Sequence, residues 1–258
     1  MTRKLAFEGI DNFRDFGDYP TTDGRRLKAG RLYRSGSHGR ATEGDLAVLS
    51  GLGLTAVVDL RRTNERERDP SRRFPGFAAQ VIENDIGAEE EDPWHAHVTQ
   101  AQPTAESNRA YLVDYYRRAP LEARHLDLYR RYFEVLAKAD GPVLIHCAAG
   151  KDRTGLLAAL THHLVGVAPQ HIVEDFLLTN DAERIARRMP LVAAYIEEIG
   201  GKAPSPEAMK VSMSVEPQYL TAAFDVIAQH RGDIDGYLER DLGVTPKIRR
   251  TLRAKLLD

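Results

Sequence analysis

Val143, Leu144 and Ile145 form an unbroken apolar run that closes on His146. A run of this length between Asp140-Gly141 and a turn of small residues predicts a short strand covered on both faces. Thr154 to Val165 follows with apolar residues on every side of a helical wheel, which predicts a buried helix. Leu54 to Leu60 is a second continuous apolar strand, and Arg31 to Arg34 and Ala78 to Ile82 predict two more. Thr42 is placed to cap a helix ending near Ser50, stopped by Gly51 and Gly53. Helical periodicity marks 108–118 and 121–139, divided by Pro120, with Leu128, Tyr132, Val135 and Leu136 in register. It returns over 169–178 and 181–199. After a Lys202-Ala203-Pro204-Ser205-Pro206 linker, helices are expected near 216–230, 233–241 and 246–257.

Strands alternating with helices predict an α/β fold, a mostly parallel central sheet flanked by helices, in one domain spanning 1–258. Residues 204–258 form its helical C-terminal region. Residues 5–20 read as irregular. Residues 86–108 are acidic, carry Pro93, Trp94, His95, His97 and Pro103, and predict an irregular lid over a site.

Composition narrows the function. With 42% hydrophobic and 29% charged residues the chain is ordinary globular protein, and a net charge of −2 offers no basic field for nucleic acid or membranes. The basic start has no apolar segment behind it, and no run approaches the length of a membrane span. The expectation is a cytoplasmic protein, or one secreted without a cleaved signal peptide. A single cysteine excludes an internal disulfide and a multi-cysteine zinc site. His95 and His97 have no partner at ligand spacing, so neither metal nor cofactor is expected. Trp94 either stacks over a substrate or anchors the lid. The arginine-rich stretch from Arg61 to Arg73 reads as a solvated face with compensating acids, or as a source of one or two arginines, Arg61 and Arg62 foremost, that steer an anion.

The one cysteine, Cys147, lies where the buried strand turns into the buried helix. A strand, a tight loop and a helix N-terminus aim amides at one point and add the positive end of the helix dipole. Such a cradle suits a phosphate, and the same field favours thiolate over thiol. Arg153 can fork two phosphate oxygens. Ala148, Ala149 and Gly150 leave space for phosphate close to the backbone. This is the pattern of a cysteine-dependent phosphatase, in which the thiolate attacks phosphorus, an acid protonates the leaving oxygen and water cleaves the thiophosphate. The acid is open among Asp85, Asp152 and Asp59, Asp59 being equally readable as a buried partner of Arg34 or Arg61. Thr154 either donates to the thiolate or caps the helix. Lys151 either contacts substrate or pairs with Asp152 or a lid acid. A nucleotide-binding P-loop is excluded because the glycine spacing is wrong and Asp152 replaces its hydroxyl residue. A phosphate-binding module without turnover is the alternative.

His146-Cys147-x5-Arg153-Thr154 resembles the signature of the protein tyrosine and dual-specificity phosphatases. The fuller run from His146 through Gly150-Lys151-Asp152 to Gly155 is similar to a bacterial subfamily of them. The likeness extends through Asn12-Phe13-Arg14-Asp15, Gly30 to Ser35, Asp59-Leu60-Arg61, Asn180-Asp181 and Gly236-Tyr237-Leu238, most of the chain. The resemblance implies the cysteine-phosphatase sheet and a structural role for His146 in fixing the loop. It also implies, through Lys151, acceptance of phosphoinositides beside phosphorylated proteins, with phosphate as product.

Overall fold

A computed structural model describes residues 5–100, 103–202 and 204–258. The strands are β1 (Arg14–Asp15), β2 (Leu32–Ser35), β3 (Ala56–Asp59), β4 (Gln80–Ile82) and β5 (Val143–His146). The first half of the helical set is α1 (Glu43–Gly51), α2 (Thr63–Arg68), α3 (Pro93–Gln100), α4 (Ala105–Arg118), α5 (Ala123–Lys138) and α6 (Asp152–Val165). It continues through α7 (Pro169–Leu177), α8 (Ala182–Glu198), α9 (Pro206–Met213), α10 (Pro217–Arg231), α11 (Ile234–Arg240) and α12 (Pro246–Leu256).

The five strands lie in the order β1-β2-β5-β3-β4, all parallel except the edge pair β1–β2. β5 is central, which is why its first three residues are apolar and even its terminal His146 is buried. Its residues divide by period two between the faces. Val143 and Ile145 join Leu32, Ala56 and Val58 in a large core with α5, α6 and α10. Leu144 joins Tyr33 and Val57 in a smaller one with Leu46 and Leu49 of α1. A third cluster, away from the sheet, ties Val98 of α3 to Ile185 and Ile196 of α8 and Met209 and Met213 of α9.

α1 begins with the anticipated capping box, Thr42 Oγ1 accepting from the Asp45 amide at 3.1 Å while Asp45 accepts from the Thr42 amide at 3.0 Å. Two expectations fail locally. The segment 86–108 is not irregular, because α3 occupies Pro93–Gln100 and α4 begins at Ala105. Pro93 opens a helix instead of breaking one, since its missing N–H falls where a first turn has no acceptor. α9 likewise starts on a linker proline, Pro206, with Ser205 as its cap. Residues 101, 102 and Ala203 of these two segments lie outside the described residues. Among the described residues no helix is long and apolar enough to cross a membrane.

Asp175, on α7, locks the sheet edge to the helices. Its Oδ1 accepts from Arg14 Nε at 3.2 Å and its Oδ2 from Arg34 Nη1 at 2.7 Å, all three side chains being buried. Burial alone would raise the Asp175 carboxyl, but Arg14 and Arg34 outweigh it and hold it well below the usual carboxylate range. Removing one partner of a buried pair strands the other charge, so Asp175→Asn should destabilise the fold by about 3–5 kcal/mol. Urea unfolding followed by circular dichroism checks this.

Candidate active site

β5 delivers Cys147 to the floor of a cavity of about 260 Å³. Ala148, Ala149, Lys151, Asp152 and Arg153 also line it, so the loop and the first turn of α6 face the same space. The first amides of a helix have no acceptor within it. With the dipole of a 14-residue helix behind them, they offer an anion site where the sulfur already is.

Arg153 is aimed by a residue that the sequence did not single out. Glu65, on the first turn of α2, takes Nη1 at 2.5 Å and Nη2 at 2.7 Å on its two oxygens. The Leu60 carbonyl accepts from the same Nη1 at 3.1 Å. Burial alone would raise the Glu65 carboxyl, yet the Arg153 charge and hydrogen bonds pull it down to about 2. Burial alone would lower Arg153, and Glu65 keeps it firmly charged. The only signal in the sequence was an acid three residues beyond Arg62 in a run full of acids and arginines. The structure resolves that run: Arg66 and Arg72 pair outward with Asp85 and Glu43, whereas Arg61 and Glu65 are buried.

The loop is shaped from behind. Gly150 has φ of +64°, and a Cβ there would come within 2.4 Å of the Ser35 carbonyl carbon and 2.6 Å of the Gly36 nitrogen. The absent side chain thus makes way for the backbone after β2, whereas the sequence reading assigned that space to phosphate. The Gly150 carbonyl accepts from Asn12 Nδ2 at 2.8 Å and from Arg34 Nη2 at 3.1 Å. Asn12 and Arg34 belong to the sequence stretches whose resemblance lay outside the loop.

The candidate acids separate. Asp59 accepts from Arg61 Nε at 2.9 Å and Nη2 at 2.7 Å, with His146 Nε2 at 3.5 Å. Burial would raise it, but His146 and Arg61 prevail and hold it well below the usual range. It is the buried partner of Arg61, and neither lines the cavity. Asp85 is 71% exposed, bound to Thr63 and Arg66, and also outside the lining. The Thr63 hydroxyl and Arg66 hold its carboxyl low, the wrong direction for a proton donor. Asp152 does line the cavity, its Oδ1 accepting from the Tyr116 hydroxyl at 3.1 Å and its Oδ2 lying 3.4 Å from Lys151 Nζ. Asp92, Glu65 and Glu122 are further carboxylates of the wall, the Asp92 Oδ1 accepting from the Trp94 amide at 2.9 Å.

Lys151 has its Asp152 partner, lines the cavity and donates to the carbonyls of Ser212 and Ser214. Burial lowers its pKa, Asp152 opposing. Thr154 caps nothing, and its buried hydroxyl has no hydrogen-bond partner among the described residues. His146 is fully buried, and burial pulls its pKa down to about 4. Trp94 is in the cavity wall, and His97 stacks on Tyr111 with ring centres 4.4 Å apart.

Five arginines beyond the loop also reach the cavity: Arg62, Arg68, Arg124, Arg184 and Arg188. Arg62 was a foremost candidate from the sequence and Arg68 belongs to the same run; Arg124, Arg184 and Arg188 were not singled out. Asp11 backs the α8 pair, 2.8 Å from Arg184 Nε and 3.6 Å from Arg188 Nε.

The family profile described as the tyrosine phosphatase family matches residues 5–258. The chain belongs to that family. This phosphatase is 30% identical to the triple specificity protein phosphatase PtpB of Mycobacterium tuberculosis, covering 96% of this chain and 97% of that protein. It is 32% identical to a Cupriavidus necator protein named as a candidate tyrosine-protein phosphatase, covering 93% of this chain and 84% of the other. The solved structure of P. aeruginosa TpbA covers 73% of this phosphatase and 89% of that chain at 21% identity, with a TM-score of 0.32. That superposition is too loose to carry residue roles across.

Glu65→Gln tests the aiming of Arg153. Losing one charged acceptor should let the fork swing and lower kcat/KM for p-nitrophenyl phosphate about 10- to 100-fold. The pH dependence of stability should change as well. A depressed carboxyl contributes stability that is present above its unfolded value and lost as pH falls through the folded one, here between 4.5 and about 2. Urea midpoints of the variant should therefore fall less steeply with acid across that window.

Proposed function

We propose that Cys147 is the nucleophile of a phosphomonoester hydrolysis that passes through a phosphocysteine intermediate. The observation that carries this is the meeting of the only thiol, the α6 N-terminus and the Glu65-aimed Arg153 fork in one cavity. The thiolate attacks phosphorus in line, the P–O bond to the alcohol breaks, and the leaving oxygen takes a proton from an acid. Loop amides and Arg153 hold the equatorial oxygens, so catalysis is mainly positioning and charge stabilisation. Water then attacks the thiophosphate, releasing phosphate and restoring the thiolate. Asp152 is the acid and then the base that best fits, being the loop carboxylate in the cavity. The Thr154 hydroxyl, buried and unpartnered, suits donation to the sulfur as it leaves.

Cys147→Ser should abolish phosphate release from p-nitrophenyl phosphate while tungstate still binds by calorimetry; retained turnover would refute the assignment. Asp152→Asn should lower kcat about 100- to 10,000-fold while a nitrophenolate leaving group suffers less than an alkyl one.

The substrates proposed are phosphorylated proteins and, through Lys151, phosphoinositides. Support comes from the cations spread around the cavity beyond the single-phosphate cradle, and from the triple specificity for which the mycobacterial relative is named. Loss of one charged hydrogen bond of about 1.5 kcal/mol is about tenfold in kcat/KM. Lys151→Ala should therefore cost soluble inositol phosphates about tenfold more than a phosphotyrosine peptide, measured side by side as phosphate released.

A further inference from the structure

His38 follows β2 by three residues, is 1% exposed and does not line the cavity. Its Nδ1 lies 3.2 Å from Arg73 Nη1 and its Nε2 3.0 Å from Ser35 Oγ. A guanidinium has no lone pair to offer, so Arg73 donates and Nδ1 accepts. The ring proton is then on Nε2, given to Ser35 Oγ, whose own proton goes to the Gly36 carbonyl at 3.0 Å. Donation thus runs one way, from Arg73 through His38 and Ser35 to Gly36, with no two donors facing each other.

That relay ends on the wall that shapes the nucleophile loop. Ser35 and Gly36 are the backbone that any side chain at 150 would strike, and the Ser37 amide donates to the Ala148 carbonyl at 2.9 Å. The ring of His38 also stacks on that of His146, with centres 4.6 Å and planes 16° apart. Neither ring nitrogen of His146 has a hydrogen bond of good geometry among the described residues, Asp59 approaching Nε2 only to 3.5 Å and the Cys147 backbone offering a weak one. A buried ring with so little hydrogen bonding is oriented by what it stacks on.

We propose that His38 is a positioning residue for the Cys147 loop, its neutral Nε2–H form holding Ser35-Gly36 against Gly150 and holding the ring of His146, the residue before the nucleophile. The charged and titratable groups around it are His146, Arg73, Asp59 and Arg61. Burial first, then His146 and Arg73, push its pKa well below the ordinary value, with Asp59 opposing. Protonation would turn Nδ1 into a donor facing a donor, so the relay requires the neutral ring.

The full-length chain supports a test with three variants. His38→Phe keeps a flat ring over His146 but cannot donate. His38→Gln keeps an N–H for Ser35 but loses the stack. Arg73→Met releases Nδ1. Turnover of p-nitrophenyl phosphate between pH 4.5 and 8, and alkylation of Cys147 by iodoacetamide at neutral pH, are measured well below each variant's melting temperature. Both His38 variants should lower kcat about 10- to 100-fold with KM within about threefold, and slow alkylation in step. Arg73→Met should add an acid-side inflection to the kcat profile that the His38→Gln/Arg73→Met double variant lacks. Folded variants with wild-type kcat and alkylation, whatever their melting temperature, would overturn the role. The proposal takes the nucleophile from the phosphocysteine reading, which fails separately, by turnover surviving in Cys147→Ser.

Discussion

A phosphate cradle gathers positive charge where water is scarce, and like charges in such a place repel strongly. The molecule answers with carboxylates that each take one edge of a guanidinium. Glu65 takes Arg153, Asp175 takes Arg34 and Arg14 together, Asp59 takes Arg61, and Asp11 takes the arginines of α8. Arg124 shows what happens where no acid is bonded directly. Its Nη2 reaches only the Leu60 carbonyl and its Nη1 the neighbouring His125, and burial with Arg153 and Arg62 lowers its pKa to about 10. The arginines are therefore held by the fold rather than recruited by substrate, which is how fixed charge can act without reorganising during the reaction.

Much of this was legible in the chain and some was not, for a consistent reason. Local signals worked wherever a residue's role is decided by its neighbours in sequence. The β5–loop–α6 turn, the capping box at Thr42 and the pairing of Asp59 with Arg61 all lie within a few positions. Glu65 and Arg153 are 88 residues apart, and Asp175 and Arg34 are 141 apart, so nothing local marks either pair. A run such as Arg61 to Arg73 looks the same whether it faces water or a cavity. Only packing divides it, burying Arg61 and Glu65 while leaving Arg72 outside. Gly150 was identified correctly as special but for the wrong neighbour, since periodicity cannot show that β2 runs on behind the loop.

The cavity has two kinds of wall. Its floor belongs to the sheet and α6, inside the largest apolar cluster. Its roof, from Trp94 to Met213, belongs to the smaller cluster of α3, α8 and α9, with Arg68 of α2 clasping Tyr195 through a hydrogen bond and a guanidinium 4.3 Å above the ring. The two walls thus belong to separate apolar clusters. The two parts still touch, since Arg184 donates to the Ala149 carbonyl at 3.4 Å and Lys151 to the carbonyls of Ser212 and Ser214.

Trp94 is the sole tryptophan of the chain, and it is in that roof beside Tyr111, 5.7 Å between ring centres. Ultraviolet emission excited at the red edge of protein absorption therefore originates in the cavity wall and nowhere else. The protein thus carries a built-in optical label in one wall of the cavity.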